Sequence, residues 1–352
     1  MTERDKAIQT VKAYYGETAR SGRKLATKAC CCAETIPSGH QAILAEIDPE
    51  ILSRFYGCGS PIPPCLDGAT VLDLGCGAGR DAYLVSRLVG PKGRVVGVDM
   101  TAEQLAVARR HQAAQAKRFG FERSNVEFLE GRFEDLAALG VADASVDVVI
   151  SNCAINLSPD KRRVFSEIFR VLKPGGELCF ADVFADRRAP PGLSEDPVLV
   201  GECLAGAMYV EDFRRMLREL GCLDYRVMSR AATVIDNPGV EARVGPIKFQ
   251  SMTVRAFKLR DLEDICEDYG QVAVYLGTIA ERPHGFLLDD HHLFQAGKPM
   301  LVCGNTAAMV GETRYGRHFH VIGDRSRHFG KFDCGSAPAA APAAGAGSAC
   351  CC

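Results

Sequence analysis

Residues 71–79 read Val-Leu-Asp-Leu-Gly-Cys-Gly-Ala-Gly and place an acid and three glycines in the pattern Asp73-x-Gly75-x-Gly77-x-Gly79. A second acid, Asp99, follows about 20 residues on. Glycines let a backbone approach a ligand closely, and a carboxylate at that distance can accept from both hydroxyls of a ribose. The chemistry implied is nucleoside binding. The spacing is one residue shorter than the dinucleotide fingerprint, whose third small residue would fall at Arg80. Thiols are the second signal. The chain has 352 residues and 16 cysteines, none of them in a Cys-x-x-Cys pair, so a zinc ribbon or thioredoxin-like site is a poor reading. Cys30-Cys31-Cys32 and Cys350-Cys351-Cys352 are triplets whose adjacent side chains point apart on an extended chain. A triplet is therefore an awkward tetrahedral cage but a good flexible thiol donor. Single cysteines such as Cys179 and Cys222 read as small hydrophobes in a core.

The elements that must position these groups follow from periodicity. The apolar run at 71–74 is a buried parallel strand, and Tyr83, Leu84, Val85 and Leu88 supply the apolar positions of the following helix. Pro91-Lys92-Gly93 ends that helix, and a second strand, Arg94 to Val98, runs into Asp99. Further alternation predicts a helix over 103–119, strands over 126–129 and 146–150, a helix over 160–172, a turn at 173–176 and a strand over 177–181 ending in Asp182. This is a doubly wound, mostly parallel α/β sheet. Ligands of such sheets bind beyond the carboxyl ends of the strands, so Cys153, just past the fourth strand, faces the reacting end of the ligand. Cys203 sits in a stretch rich in small residues, 201–207, which reads as a helix suited to close packing.

Toward the N-terminus, residues 3–20 read as an amphipathic helix that can fold over a cofactor. Pro190 to Asp196 is an insertion loop, and 208–250 mixes a helix at 209–220 with strands. From about Val254 the pattern becomes a small mixed domain, with a helix at 259–269, a strand at 271–276 and a helix near 305–309. The Ala/Pro/Gly-rich tail, 336–352, reads as disordered, its terminal thiols a mobile collector of soft ions.

Composition narrows the class. Hydrophobic content of 47% and charged content of 24% are ordinary for a soluble enzyme. A net charge of −2 offers no electrostatic case for nucleic acid or an anionic membrane. The polar start carries no signal-peptide pattern and no stretch has 18 successive apolar residues, so a cytoplasmic location is expected.

The glycine pattern resembles motif I of class I S-adenosylmethionine-dependent methyltransferases. More specifically, the chain resembles the arsenite S-adenosylmethionine methyltransferases over roughly residues 10–250. The matching stretches are Tyr56-Gly57-Cys58-Gly59, the motif I loop with Arg80-Asp81, Val98-Asp99-Met100-Thr101, Ser151-Asn152-Cys153-Ala154-Ile155-Asn156-Leu157 and Gly201-Glu202-Cys203-Leu204. The resemblance implies four functional cysteines. Cys58, Cys153 and Cys203 match directly and would hold arsenic(III). Cys30 fits best as the fourth, able to form a disulfide with Cys58, with Cys31 or Cys32 open as alternatives. For the cofactor it implies S-adenosylmethionine on Tyr56, Asp73, Gly75, Gly77, Gly79 and Asp99, with Met100, Phe133 and Glu134 at the adenine.

Its implied substrates are arsenite and methylarsenite as thiol conjugates, with a reductant such as thioredoxin or glutathione, in a monomer. The implied divisions are a cofactor domain at 1–182, an arsenic-binding region at 183–253, a C-terminal domain at 254–335 and the tail. Two rival readings stand beside it. A methyltransferase acting on another small acceptor needs a general base, and a thiol-rich metal-binding or sensing protein has no reason to bind the cofactor.

Overall fold

The computed structural model describes residues 8–9, 11–14 and 36–334. Cys30-Cys31-Cys32 and the tail with its terminal thiols lie outside the described residues. Residues 8–9 and 11–14 are helical, within the expected N-terminal helix. Two short helices follow, α1 (Ser38–Leu44) and α2 (Pro49–Leu52). Then β1 (Thr70–Leu74), β2 (Arg94–Asp99), β3 (Val126–Glu130), β4 (Val146–Asn152) and β5 (Leu172–Ala185) pair in parallel in the order β3-β2-β1-β4-β5. Between them lie α3 (Arg80–Val89), α4 (Ala102–Arg118) and α5 (Lys161–Val171). The excursion beyond β5 comprises α6 (Pro197–Gly201), β6 (Met208–Tyr209), α7 (Val210–Glu219), β7 (Tyr225–Ala232), α8 (Pro238–Val244) and β8 (Phe249–Phe257). β8 adds antiparallel to β5 and β7 adds antiparallel to β8, while β6 pairs with the end of β5.

Both faces of the sheet are covered, which is why its strands read as continuous apolar runs. Successive residues of β1 point to opposite faces. Leu72 and Leu74 pack with Val164, Phe165 and Ile168 of α5 and Phe213 of α7. Val71 packs with Tyr83, Leu84 and Val85 of α3 and Leu105 of α4. Fully burying each such side chain contributes roughly 1.5–3 kcal/mol. The expected doubly wound sheet is present.

Three local expectations differ. Lys173-Pro174-Gly175-Gly176 is not a free turn but lies inside β5. Gly175 takes φ +76° there, and the β4–β5 register shifts between Val146 and Val148. Residues 201–207 are not one helix. α6 ends at Gly201, and Cys203 adopts φ +64°, which an α-helix cannot accommodate. The segment 259–269 is not helical either. Leu262 turns inward while Ile265 is 47% exposed, so the three-residue spacing describes no single buried face. Its backbone is held from outside, because the Asn305 amide accepts from Glu263 N and donates to Glu263 O, both at 2.8 Å.

The C-terminal part is built on β10 (Gln271–Tyr275), flanked antiparallel by β13 (Pro299–Val302) and β14 (Phe319–Ile322) and packed by α9 (Gly304–Gly311). Small strands complete it: β9 (Glu267–Asp268) pairs with β15 (Gly330–Lys331), and β11 (Gly285–Leu287) with β12 (Leu293–Gln295). A fully buried ion pair ties this part to the main sheet. Glu177 of β5 accepts from Arg255 Nε of β8 at 2.5 Å and from the Tyr315 hydroxyl at 2.8 Å, and Arg314 lies 2.5 Å away. Burial pushes the Glu177 carboxyl up, but Arg255 and Arg314 outweigh it and hold the group below its usual range. No helix among the described residues is long and apolar enough to cross a membrane.

Candidate active site

The tips of β1, β2 and β4 open onto a cleft lined by Asp73, Asp99 and Asn152. Gly75, Gly77 and Gly79 all have positive φ (+76°, +52° and +92°), a conformation that L side chains rarely adopt. Gly75 also lies against Ala154, where an added Cβ would come within 2.2 Å of the alanine Cβ. At Gly77 a Cβ would meet nothing within 4 Å, and this residue lines the cleft. Asp99 fixes the loop from the neighbouring strand, accepting from Gly77 N at 2.9 Å and Thr101 N at 2.8 Å. Burial raises its carboxyl, opposed by those backbone donors.

Asp73 is buried, and among the described residues its Oδ2 has no hydrogen-bond partner. Burial, then Asp81 and Asp99, push its carboxyl well above the usual range. A buried acceptor with nothing to accept from is costly unless a ligand supplies the donor.

Of the residues expected at the cofactor, Tyr56, Asp73, Gly75, Gly77, Asp99, Met100, Phe133 and Glu134 line this cleft. Gly79 does not line it; it acts from behind the loop, facing Phe128 and Tyr83. Glu134 is already engaged, accepting from the Ser158 hydroxyl at 2.6 Å. Ile8 and Val11 of the N-terminal helix close one side of the cleft. That helix is seated on the Cys203 segment: Tyr14 donates to Glu202 at 3.1 Å, and its ring occupies the space that a Cβ on Gly201 would need.

The thiols gather at the β4 end. Cys58, Cys153 and Cys203 share one buried apolar cluster with Leu199 and Leu204, and Cys153 also lines the cleft. Cys58 and Cys153 are joined by a disulfide with Cα atoms 5.9 Å apart. The disulfide described is thus Cys58–Cys153 and not Cys58 with Cys30; Cys30 lies outside the described residues. The Cys203 thiol donates to the Cys153 carbonyl at 3.2 Å. Cys153 and Cys203 both carry positive φ, +53° and +64°, a strain of order 1–3 kcal/mol each that clusters at functional sites.

Several residues with no role assigned from sequence hold this arrangement. Asn152 accepts from Cys58 N at 3.0 Å and donates to Gly59 O and Asp81, each at 2.9 Å. Ser251 of β8 donates to Cys58 O at 2.6 Å. Asp182 does not end its strand as expected but lies inside β5, which runs on to Ala185, and it places a carboxylate oxygen within 4.8 Å of both disulfide sulfurs. Burial pushes its carboxyl up to about 7, against backbone donation from Asn156 and Val183. Arg80 stacks 3.7 Å from the centre of the Phe55 ring and pairs with Asp81. Asp182 had a sequence signal, a strand-end acid like Asp99; Ser251 had none.

A methyltransferase-domain family model matches residues 66–221. An arsenite methyltransferase of Aquipseudomonas alcaligenes is 49% identical over 328 residues, 93% of this chain and 94% of that protein. The chain belongs to the arsenite methyltransferase family. The human arsenite methyltransferase is 36% identical, covering 92% of this chain and 86% of its own length. The crystal structure of an arsenic(III) S-adenosylmethionine methyltransferase from Chlamydomonas reinhardtii superposes with a TM-score of 0.82 at 51% identity, covering 85% of this chain and all of that one. The sheet is thus of the class I methyltransferase type, and the likeness covers both the 10–250 span and the C-terminal part, where His328-Phe329-Gly330 and Phe332-Asp333-Cys334 also resemble bacterial members of the family.

Proposed function

We propose that this chain binds S-adenosylmethionine in the Asp73–Asp99 cleft, holds trivalent arsenic on Cys58, Cys153 and Cys203, and transfers methyl groups to arsenite and then to methylarsenite. As a member of its family the chain is a methyltransferase. The observation that carries the reading is the position of Cys153, which lines the cofactor cleft and packs against both other thiol positions.

The cleft residues fit the cofactor. Asp73 offers a buried oxygen, unpartnered among the described residues, to an amino group, Asp99 has lone pairs left for ribose hydroxyls, and Met100, Phe133 and Glu134 line the same cleft and are available to an adenine. When bound, S-adenosylmethionine supplies an electrophilic methyl group on a sulfonium. On the acceptor side, trivalent arsenic is soft, and three thiolates hold it as a neutral pyramid with a free lone pair. No proton has to leave this nucleophile, so no general base is needed. What the chain contributes is proximity and orientation, effects that can supply ~7–11 kcal/mol of a barrier.

Methyl transfer raises the formal oxidation state of arsenic by two. Two thiolates restore trivalent arsenic by giving up two electrons and joining as a disulfide, and Cys58–Cys153 is a pair placed to do so. Cys30, Cys31 or Cys32 would offer another partner to Cys58. A dithiol or glutathione-type reductant then reopens the bond. Such a cycle suits a monomer working in the reducing cytoplasm to detoxify arsenic.

Product analysis tests the reading. Incubation with arsenite, excess thiol and methyl-labelled cofactor should yield labelled methylarsenicals. Cofactor binding without label on arsenic would overturn it.

A further inference from the structure

Outside the cleft, three cysteines far apart in sequence meet in the C-terminal part. The sulfurs of Cys266, Cys303 and Cys334 all lie within 4.8 Å of one another. We propose that they form a second three-thiol site for trivalent arsenic, separate from the catalytic one.

Each thiol is delivered by its own device. Cys303 caps α9, its sulfur accepting from Thr306 N at 3.4 Å. The Asn305 amide clamps Glu263 onto the start of that helix, which brings Cys266 alongside. The β9–β15 pairing, extended by Phe332 N donating to Cys266 O at 2.9 Å, returns the chain so that Cys334 arrives beside Cys266. Cys303 is fully buried, while Cys266 and Cys334 are half-buried and form part of the wall of a surface cleft shared with Arg226 and Asp289. The site has a floor and an entrance.

The donor set favours arsenic. A tetrahedral ion with thiolate bonds of about 2.3 Å wants its sulfurs roughly 3.8 Å apart and a fourth ligand. No fourth cysteine, histidine or carboxylate among the described residues joins this group. The cation beside it, Arg226, lies 3.9 Å from the Cys303 sulfur and has no atom that can ligate. Three soft donors and no fourth match a pyramidal centre whose remaining position is a lone pair. Binding needs no redox partner. Three As–O bonds of arsenous acid break, three As–S bonds form, and three waters leave with the hydroxyls and the thiol protons. The ion is chosen because arsenite is the proposed substrate; the test reads binding, not turnover, so the two can fail separately.

Residue-resolved alkylation of the reduced full-length protein reads the site directly. Arsenite should slow alkylation of Cys266 and Cys334 together, at least tenfold at saturation. Cys303→Ser should abolish that protection while leaving methyl transfer at saturating arsenite unchanged. Cys334→Ser, at a half-buried position outside the core, should likewise expose Cys266 if Cys303→Ser folds poorly. Unchanged alkylation with arsenite, protection that survives both variants, or protection by zinc alone at lower concentration than arsenite would each overturn the proposal.

Discussion

Ser251→Ala isolates the Cys58 loop from the rest of the machinery. The hydroxyl lies on β8, away from the cofactor cleft, and its one described bond is the 2.6 Å donation to the Cys58 carbonyl. Both groups are buried, so the substitution leaves an acceptor without a donor, a loss of ~1–3 kcal/mol. If that energy holds Cys58 in its ligating position, the ordered fraction of the loop falls roughly 5- to 150-fold, since about 1.4 kcal/mol is a factor of ten. Arsenite offers three exchangeable positions, which the proposed site fills with Cys58, Cys153 and Cys203. Methylarsenite has one position filled by carbon and takes two thiolates, a task the proposal assigns to Cys153 and Cys203. Transfer to arsenite should therefore drop by about the loop factor, while transfer to methylarsenite supplied directly should keep most of its rate. Cofactor affinity from titration calorimetry should not move. Initial rates on both substrates in excess thiol decide it. An equal loss on the two, with cofactor affinity intact, refutes the division of labour among the thiols, and no loss on either refutes the role of Ser251.

Two further perturbations address the cofactor and the scaffold. Asp99→Ala removes the proposed ribose acceptor and the bonds to Gly77 N and Thr101 N; at ~1.5–3 kcal/mol per bond to a charged group, cofactor affinity should fall at least tenfold in calorimetry, and unchanged affinity would move the nucleoside elsewhere. Arg255→Met leaves Glu177 short of its main cation inside the protein and should cost ~3–5 kcal/mol in urea unfolding at pH 7. In the native chain Glu177 is held below its usual value, so its contribution is full above the unfolded carboxylate range and is lost only as pH falls further, through the lower folded value. In the variant the carboxyl rises instead and is protonated readily. The stability gap should narrow from pH 7 to pH 4; a gap independent of pH refutes the ion-pair account.

How much of this was legible from residue types depended on whether the determining contact was local. The motif loop and its acids were readable because close approach needs glycine and a ribose site needs a carboxylate within one strand–helix–strand unit. The strands were readable because both sheet faces are covered, leaving runs such as Val146-Asp147-Val148-Val149-Ile150. The helix expected at 259–269 was lost to a contact 42 positions away in sequence, the Asn305 clamp on Glu263. The Cys203 stretch was misjudged because small residues permit a helix but do not require one, and the chain instead breaks into a left-handed residue. Ser251 and the meeting of Cys266, Cys303 and Cys334 were beyond a linear reading, since each depends on pairings between distant strands or segments.

The same long-range pairings explain why the three thiols of the proposed site sit on such different supports. All three lie in one buried cluster, but Cys153 and Cys203 are also set by left-handed backbone and the thiol-to-carbonyl bond between them. Cys58 lies outside any helix or strand, and among the described residues its polar ties are the side chains of Asn152 and Ser251 and its bond to Cys153. If two thiols of the proposed site close a disulfide after each transfer, at least one of them must shift between its ligating and oxidised positions, and the support of Cys58 suits it to be that one. Holding it through two side-chain clamps ties the loop to β4 and β8 without building it into either. Asn152 makes the coupling tighter still: the amide that holds Cys58 and Gly59 also donates to Asp81, which lines the cofactor cleft and pairs with Arg80. Movement of the Cys58 loop on oxidation would therefore be felt at the cofactor cleft through a single buried side chain.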